Sequence, residues 1–269
     1  MASSLEPARP ESRQPAPGRD PRLRLAIVST PRCGNTWLRY LVSSVYDVAE
    51  MAVHQPDDVD WGSVPSDVVV QLHWHRVGAL RARLADEGFK VVSLARHPLD
   101  VLISILHFAP RARSTIDWLR GEAGDESALV GAGPASPAFL DWALGARAEA
   151  LLSVSAEWWE DPSALQIRYE NLVEDPVGSL RQLIGHAGML PVRSLREAVQ
   201  NQRFDNWKAF NPVHFWKGQP GLWRRVLLAG DARAIAARHE RIFATLGYTV
   251  DADDTLTADT AERNWVGLG

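Results

Sequence analysis

The sequence predicts an α/β fold of three layers, a central and mainly parallel sheet flanked by helices. Two observations predict it. Short apolar runs rich in β-branched residues recur along the chain, the pattern of strands buried on both faces. Between them lie segments of helical apolar spacing or clear helix-start signals, and strands alternating with helices imply parallel pairing.

The first strand is LRLAIVS, 23–29. A short polar loop follows, holding Pro31, Gly34 and the only cysteine, Cys33; Trp37, Leu38, Leu41, Val42 and Val45 then recur at helical spacing up to Tyr46. DVVVQL, 67–72, is the second strand, and HWHRVGALRARLADEG predicts a helix ending near Gly88. FKVVSLA, 89–95, is the third; it stops at Arg96, and PLDVLISILHF continues as a helix with Pro98 in its first turn. ALQIRYENL, 164–172, is the fourth strand. A helix follows it, with Asp175 as N-cap, Pro176 at the first position and Gly188 as its stop. Ligands of such sheets sit beyond the carboxyl ends of the strands. The loop at 30–36, His73, Arg96 and Tyr169 all fall there.

Between 109 and 160 the pattern loosens. GEAGDESALVGAGPASP, flanked by segments carrying Trp118, Trp142, Trp158 and Trp159, predicts helices around a mobile loop that serves as a lid. Residues 1–22 are rich in Pro, Arg and Ser and predict a disordered tail. One domain is expected over 23–250, then an acidic tail, 251–269, in which Trp265 is a docking residue. No internal repeat is visible.

At 269 residues and 46% hydrophobic, the chain can bury one sizeable core. Its formal charge of −4 provides no global attraction for nucleic acid or an acidic membrane, so any anion site must be local. A single cysteine excludes an intrachain disulfide and a cysteine-based zinc site, and fits a reducing compartment. No run approaches the roughly 20 apolar residues of a membrane span, and the N-terminus has no apolar core of a secretory signal. The expectation is a soluble cytoplasmic protein. Most of its eleven tryptophans should pack in the core, with a few lining an aromatic acceptor pocket.

The loop after the first strand departs from a nucleoside-triphosphatase loop, G-x-x-x-x-G-K-[ST]. With Gly34 as the second glycine, Ser29 stands at the first, Asn35 replaces the lysine and Thr36 keeps the hydroxyl. Amides of 33–37 still converge at a helix N-terminus, so the fold is P-loop-like. The loop lysine is gone, and no acidic residue ends the second or third strand to hold magnesium. Arg32 supplies the charge, which suits one phosphate better than a triphosphate–magnesium chain. A tight structural turn is the alternative reading.

Arg96 and Ser104, two helical turns apart, form a second candidate anion site, since arginine binds phosphate bidentately. Its alternative is an Arg96–Asp100 pair with a helix-facing serine. HFWKGQPGLW, 214–223, is a third, or else an ordinary basic surface loop. Together the three ask for one ligand with two separated phosphate groups and no metal.

This set resembles the cytosolic-type, PAPS-dependent sulfotransferases, whose donor is 3′-phosphoadenosine 5′-phosphosulfate. TPRCGNTWL is similar to their P-K-S-G-T-T-W loop, RHPLDVLIS to R-[ND]-P-x-D-x-x-x-S, RYENLVEDP to Y-E-D-L-x-x-D-P, and WKGQPGLW to R-K-G-x-x-G-x-W. The order is that of the family. The resemblance implies that Arg32, Cys33, Gly34, Asn35 and Thr36 hold the 5′-phosphosulfate and that Trp37 stacks beside the adenine. Arg96, Ser104, Lys217 and Gly218 take the 3′-phosphate, with Trp216 beside them; Tyr169 and Phe204 face the adenine. Arg32 and Lys217 stabilise charge near the reaction. His73 takes the place of the general base, suited by a histidine pKa near 6.5, and His75 is its rival because period-two geometry turns both side chains the same way. Adenosine 3′,5′-bisphosphate (PAP) is the implied product, with no metal required.

Four positions depart from the pattern: Arg32 for lysine, Gln71 for a lysine before the base, Trp216 for the arginine of R-K-G, and Cys33 for a serine. At a helix N-terminus the Cys33 thiol is expected to be acidified and prone to oxidation. The family's dimer segment is not recognisable, so no oligomeric state is assigned. A small-molecule hydroxyl acceptor, a phenol, alcohol or glycosylated metabolite, is expected near Trp74, His75, Phe108 and the lid. The rival functions are a P-loop small-molecule kinase, which needs the missing lysine and acid, and a non-catalytic phosphonucleotide-binding module.

Overall fold

The computed structural model describes residues 22–112, 115, 117–120 and 122–268. The tail expected over 1–22 lies outside the described residues apart from Arg22. Five strands form one parallel sheet: β1 (Arg24–Val28), β2 (Ala49–Val53), β3 (Val68–Leu72), β4 (Lys90–Ala95) and β5 (Leu165–Arg168), in the order β2-β3-β1-β4-β5. Helices cover both faces, so the predicted three-layer α/β architecture holds. They include α1 (Asn35–Tyr46), α2 (Gly78–Asp86), α3 (Pro98–Phe108), α4 (Pro137–Ala143), α5 (Ala146–Trp159), α6 (Tyr169–Glu174) and α7 (Pro176–Ala187). After these come α8 (Leu195–Asn201), α9 (Phe204–Phe210), α10 (Ala229–Arg238), α11 (Glu240–Leu246) and α12 (Ala258–Val266).

The central strands β1 and β3, with most of β4, are buried on both faces, which is why their sequences are unbroken apolar runs. Val28 pairs with both Leu72 and Ser93, and Ala95 with Arg168, so the residues beyond these four strands meet along one edge. Helix α3 is buried along its whole length and begins with Pro98 at its first position. Asp175 caps α7 by accepting from the Gly178 amide at 2.8 Å, and Gly188 ends it in the left-handed region.

Two elements differ from the sequence reading. Strand β2 (AEMAV) was not anticipated; it is an edge strand with exposed positions and no apolar run. The fourth strand ends at Arg168 rather than 172. There the chain turns directly into α6, because Glu170 caps the His97 amide at 3.0 Å and receives the Tyr248 hydroxyl at 2.6 Å.

Within 109–160, α5 is a layer helix packed on β4 and β1; its Ser155 Oγ receives the Thr30 amide and donates to Leu94 O. Arg147 of α5 pairs with Glu126 at 2.7 Å and donates to the carbonyls of Trp118, Leu119 and Glu122, fixing the 118–126 loop. The C-terminal segment folds as α12, with Trp265 edge-on to Trp216.

Candidate active site

A cavity of about 400 Å³ opens at the carboxyl edge of the sheet. Its first wall is the loop between β1 and α1. Gly34 sits at φ 97°, in the left-handed region, and a Cβ there would lie 2.5 Å from the Tyr169 ring. Glycine is required on both counts. The first α1 bond runs from the Leu38 amide to Gly34 O, which leaves the amides of Asn35, Thr36 and Trp37 without intrahelical acceptors. Gly34→Ala is expected to cost about 2 kcal/mol or more through left-handed strain and overpacking. Adding Tyr169→Ala should recover part of that loss in chemical denaturation; an unchanged loss contradicts the packing argument.

The cationic wall is built from Arg32 and Arg96. Arg32 Nε donates to Ser104 Oγ at 3.2 Å, its terminal nitrogen donates to His214 O at 2.8 Å, and its guanidinium lies 4.2 Å from the Phe108 ring centroid. Arg96 donates to Arg32 O and Gln219 O, both at 3.3 Å, and stacks over Tyr169. Burial, then the neighbouring Arg96 charge, push Arg32 down to about 9. Asp100 does not hydrogen-bond Arg96: its oxygens accept the amides of Gly221 (2.6 Å) and Trp223 (3.0 Å) and fix the 217–223 loop. The Tyr169 hydroxyl donates to Gly218 O at 2.8 Å, and Phe204 packs against Gly218. Lys217 lines the same cavity.

His73 lies deeper. Its Nδ1 is 2.9 Å from Ser29 O, an atom that only accepts, so Nδ1 carries the proton and Nε2 presents its lone pair. Gln71 Nε2 donates to that Nε2 at 3.0 Å, and Asn35 Nδ2 lies against the ring, 3.1 Å from Nδ1 and 3.3 Å from Nε2. Burial, the largest cause, pushes His73 down to about 3, and the imidazole is neutral at ordinary pH.

Burial likewise pushes His107 and His214 down to about 3. An unfolded histidine titrates near 6.5, so below that pH the unfolded chain binds protons that the folded chain refuses. This stability is fully present above pH 6.5. It is lost as pH falls toward 3, at about 1.4 kcal/mol per pH unit for each such histidine. Melting temperature is therefore expected to drop steeply between pH 6.5 and 4.5. A flat profile contradicts neutral burial of all three.

Of the residues singled out in the sequence, the cavity brings together Arg32, Gly34, Asn35, Thr36, Trp37, His73, Arg96, Ser104, Phe108, Tyr169, Phe204, Trp216, Lys217 and Gly218. Three stand apart. The Cys33 side chain points into the core beside Ser155, and burial pushes its thiol up to about 12; the expected acidified, oxidation-prone thiol is overturned by desolvation. Trp74 and His75 do not line the cavity. The chain leaves strand geometry after Leu72: Trp74 O accepts the Trp158 indole at 2.9 Å, and His75 is held between Glu157 (2.9 Å) and Glu122 (3.2 Å). Trp216 lines the cavity, but its Nε1 donates away from it, to Leu268 O at 2.9 Å.

Sequence reasoning missed Arg39, His54 and His214, which also line the cavity. Arg39 stands four residues after Asn35, one helical turn on, a spacing that points to it. His214 stands two residues before Trp216, the first of the WKG motif. His54 follows the unanticipated β2 and carried no signal. Among the described residues, no group of His, Cys, Asp or Glu forms a metal site, and no helix is long and apolar enough to cross a membrane.

A parallel sheet with helix amides, two guanidiniums and a histidine converging at its carboxyl edge is built to take an anionic ligand. The family model of the sulfotransferase domain matches residues 23–224, and the chain belongs to that family. Sulfuryl transfer is its chemistry. A mouse sulfotransferase complexed with PAP shares the fold, with a TM-score of 0.62 and 17% identity over 82% of this chain and 83% of that one. Retinol dehydratase, in complex with androsterone and inactive cofactor PAP, does so at 0.57 and 16% identity, over 86% of this chain and 82% of that one. A second retinol dehydratase structure, with retinol and PAP, has the same TM-score and identity. At such identities the likeness establishes the fold. No curated protein sequence matches the chain significantly.

Proposed function

We propose that the chain moves the sulfuryl group of PAPS to a hydroxyl of a small-molecule acceptor, with His73 as general base. The observation that carries this reading is the Arg32–Arg96 pair. The hydrogen bonds of these two guanidiniums, among the described residues, go to Ser104 and backbone carbonyls rather than to carboxylates. Their mutual repulsion is relieved by an anion with a group for each. Arg32 and the amides of 34–37 bind the 5′-phosphosulfate. Arg96, Ser104, Lys217 and Gly218 bind the 3′-phosphate, while Trp37, Tyr169 and Phe204 flank the adenine.

His73 Nε2 takes the acceptor proton as the acceptor oxygen attacks sulfur. The bond from sulfur to the bridging oxygen breaks in line, and PAP departs with the electron pair. Arg32 and the loop amides stabilise charge growing on that oxygen; one such preorganised donor typically contributes about 3 kcal/mol. The acceptor enters on the side lined by His54, Phe108 and Trp118. Phe108 and Trp118 stack at 5.6 Å between ring centroids, which suits a phenol, an alcohol or a glycosylated metabolite.

Incubation with ³⁵S-labelled PAPS and a panel of phenols, alcohols and glycosides is expected to release PAP in an acceptor-dependent way. Absence of transfer across the panel, with PAP still bound, contradicts the enzyme reading and leaves a binding module.

A further inference from the structure

On the Nε2 side, the polar contacts of His73 run on into a chain of side-chain hydrogen bonds. Ser29 O accepts from His73 Nδ1, so His73 Nε2 must accept. Its 3.0 Å neighbour on Gln71 is therefore the amide nitrogen, and Gln71 Oε1 is turned to Thr36. Oε1 only accepts, so the Thr36 hydroxyl donates to it, across 3.4 Å. The Thr36 oxygen is then the acceptor for His214 Nε2, 2.9 Å away, and His214 is the Nε2–H tautomer. The series is His214 to Thr36 to Gln71 to His73 to Ser29 O, each donor matched to one acceptor.

The far end of this series is anchored on the donor side. His214 O accepts from Arg32 at 2.8 Å, and the His214 ring is edge-on to Phe108 at 5.7 Å and tilted against Phe215 at 5.2 Å. One residue thus holds the cation of the donor loop through its backbone and the base network through its side chain. Gln71 replaces the lysine expected before the base. A lysine has only donors and cannot continue the series from Thr36 to His73.

We infer that His214 is a positioning residue for His73: acting through Thr36 and Gln71, it holds the imidazole of the base in the tautomer and orientation that present Nε2. This rests on the proposed role of His73. No proton passes along the series, since an amide stands in it; what it transmits is orientation.

Two measurements test this. The first is ¹⁵N spectroscopy of histidine-labelled protein at pH 7.5 with PAP bound. The expected result is two neutral histidines in opposite tautomers, His73 as Nδ1–H and His214 as Nε2–H, assigned with His73→Gln and His214→Phe. The same tautomer at both positions overturns the inference.

The second is a mutant cycle with PAPS and 4-methylphenol. His214→Phe keeps the aromatic packing but removes the donor, and is expected to lower kcat about ten-fold with PAP affinity within about two-fold. His214→Gln, which can still donate to Thr36, restores most of the rate. Gln71→Leu breaks the same series, so His214→Phe in that background should add less than about two-fold. An undiminished effect there, or no effect of His214→Phe alone, overturns the positioning role. Full turnover by His73→Ala overturns instead the base assignment on which it rests.

Discussion

His73→Ala is expected to lower kcat by about 10²- to 10⁴-fold, the range for loss of a positioned general base, with PAP affinity little changed. The expectation follows from the local chemistry. Ser29 O holds Nδ1–H, so the only basic atom of the ring is Nε2, and His73 lines the cavity. The Gln71 amide now occupies the lone pair and must yield to the acceptor hydroxyl. Burial keeps the free imidazole neutral but leaves it less basic than the value near 6.5 that suits a general base, so proton uptake leans on the charge that develops at the acceptor as sulfur is attacked. His75→Ala is the matched control. Its ring sits between Glu157 and Glu122 outside the cavity, and hydrogen bonding to Glu157, the largest cause, raises its pKa. Steady-state kinetics of the two variants with PAPS and one fixed phenol decide the matter. A loss in His75→Ala but not in His73→Ala reverses the assignment.

The largest expected effect on stability is that of Arg147→Ala, about 3–5 kcal/mol, read by urea denaturation. The Arg147 and Glu126 side chains are almost fully buried, and Arg147 also donates to three carbonyls of the 118–126 loop. Truncation leaves a carboxylate in the interior and three carbonyls without their donor. Arg147→Met with Glu126→Leu removes both charges and fills the space, and is expected to recover a substantial part of the loss. An Arg147→Ala protein within about 1 kcal/mol of wild type contradicts this role. Since the loop begins at Trp118, which stacks on Phe108 in the cavity wall, the substitution should also weaken acceptor binding.

The sheet was legible where burial is two-sided. Strands β1, β3 and β4 are apolar runs because no face meets water, whereas β2 writes AEMAV, with three exposed positions and no repeating signal. Strand β5 was overextended because YENL is compatible with a strand; what stops it is Glu170 reaching the His97 amide, a contact invisible in sequence. In the site, residues inside motifs were readable, since loop, strand end and helix start have stereotyped directions. His75 was misplaced by carrying the two-residue period past the last paired residue, Leu72. Cys33 was misjudged because a helix N-terminus lowers a thiol pKa only when solvent or charge is near; here desolvation dominates. The links from His214 to Thr36 and from Gln71 to His73 join distant segments through side-chain polarity, which no local pattern encodes.

The proposed function stands or falls with the two-phosphate donor site. Calorimetric titration with PAP, set against ATP–magnesium and repeated with Arg96→Ala, tests it most directly. Micromolar PAP binding is expected, at least about ten-fold weaker in the variant, with no comparable binding of ATP–magnesium. Binding of ATP–magnesium without PAP, or PAP binding indifferent to Arg96, contradicts it.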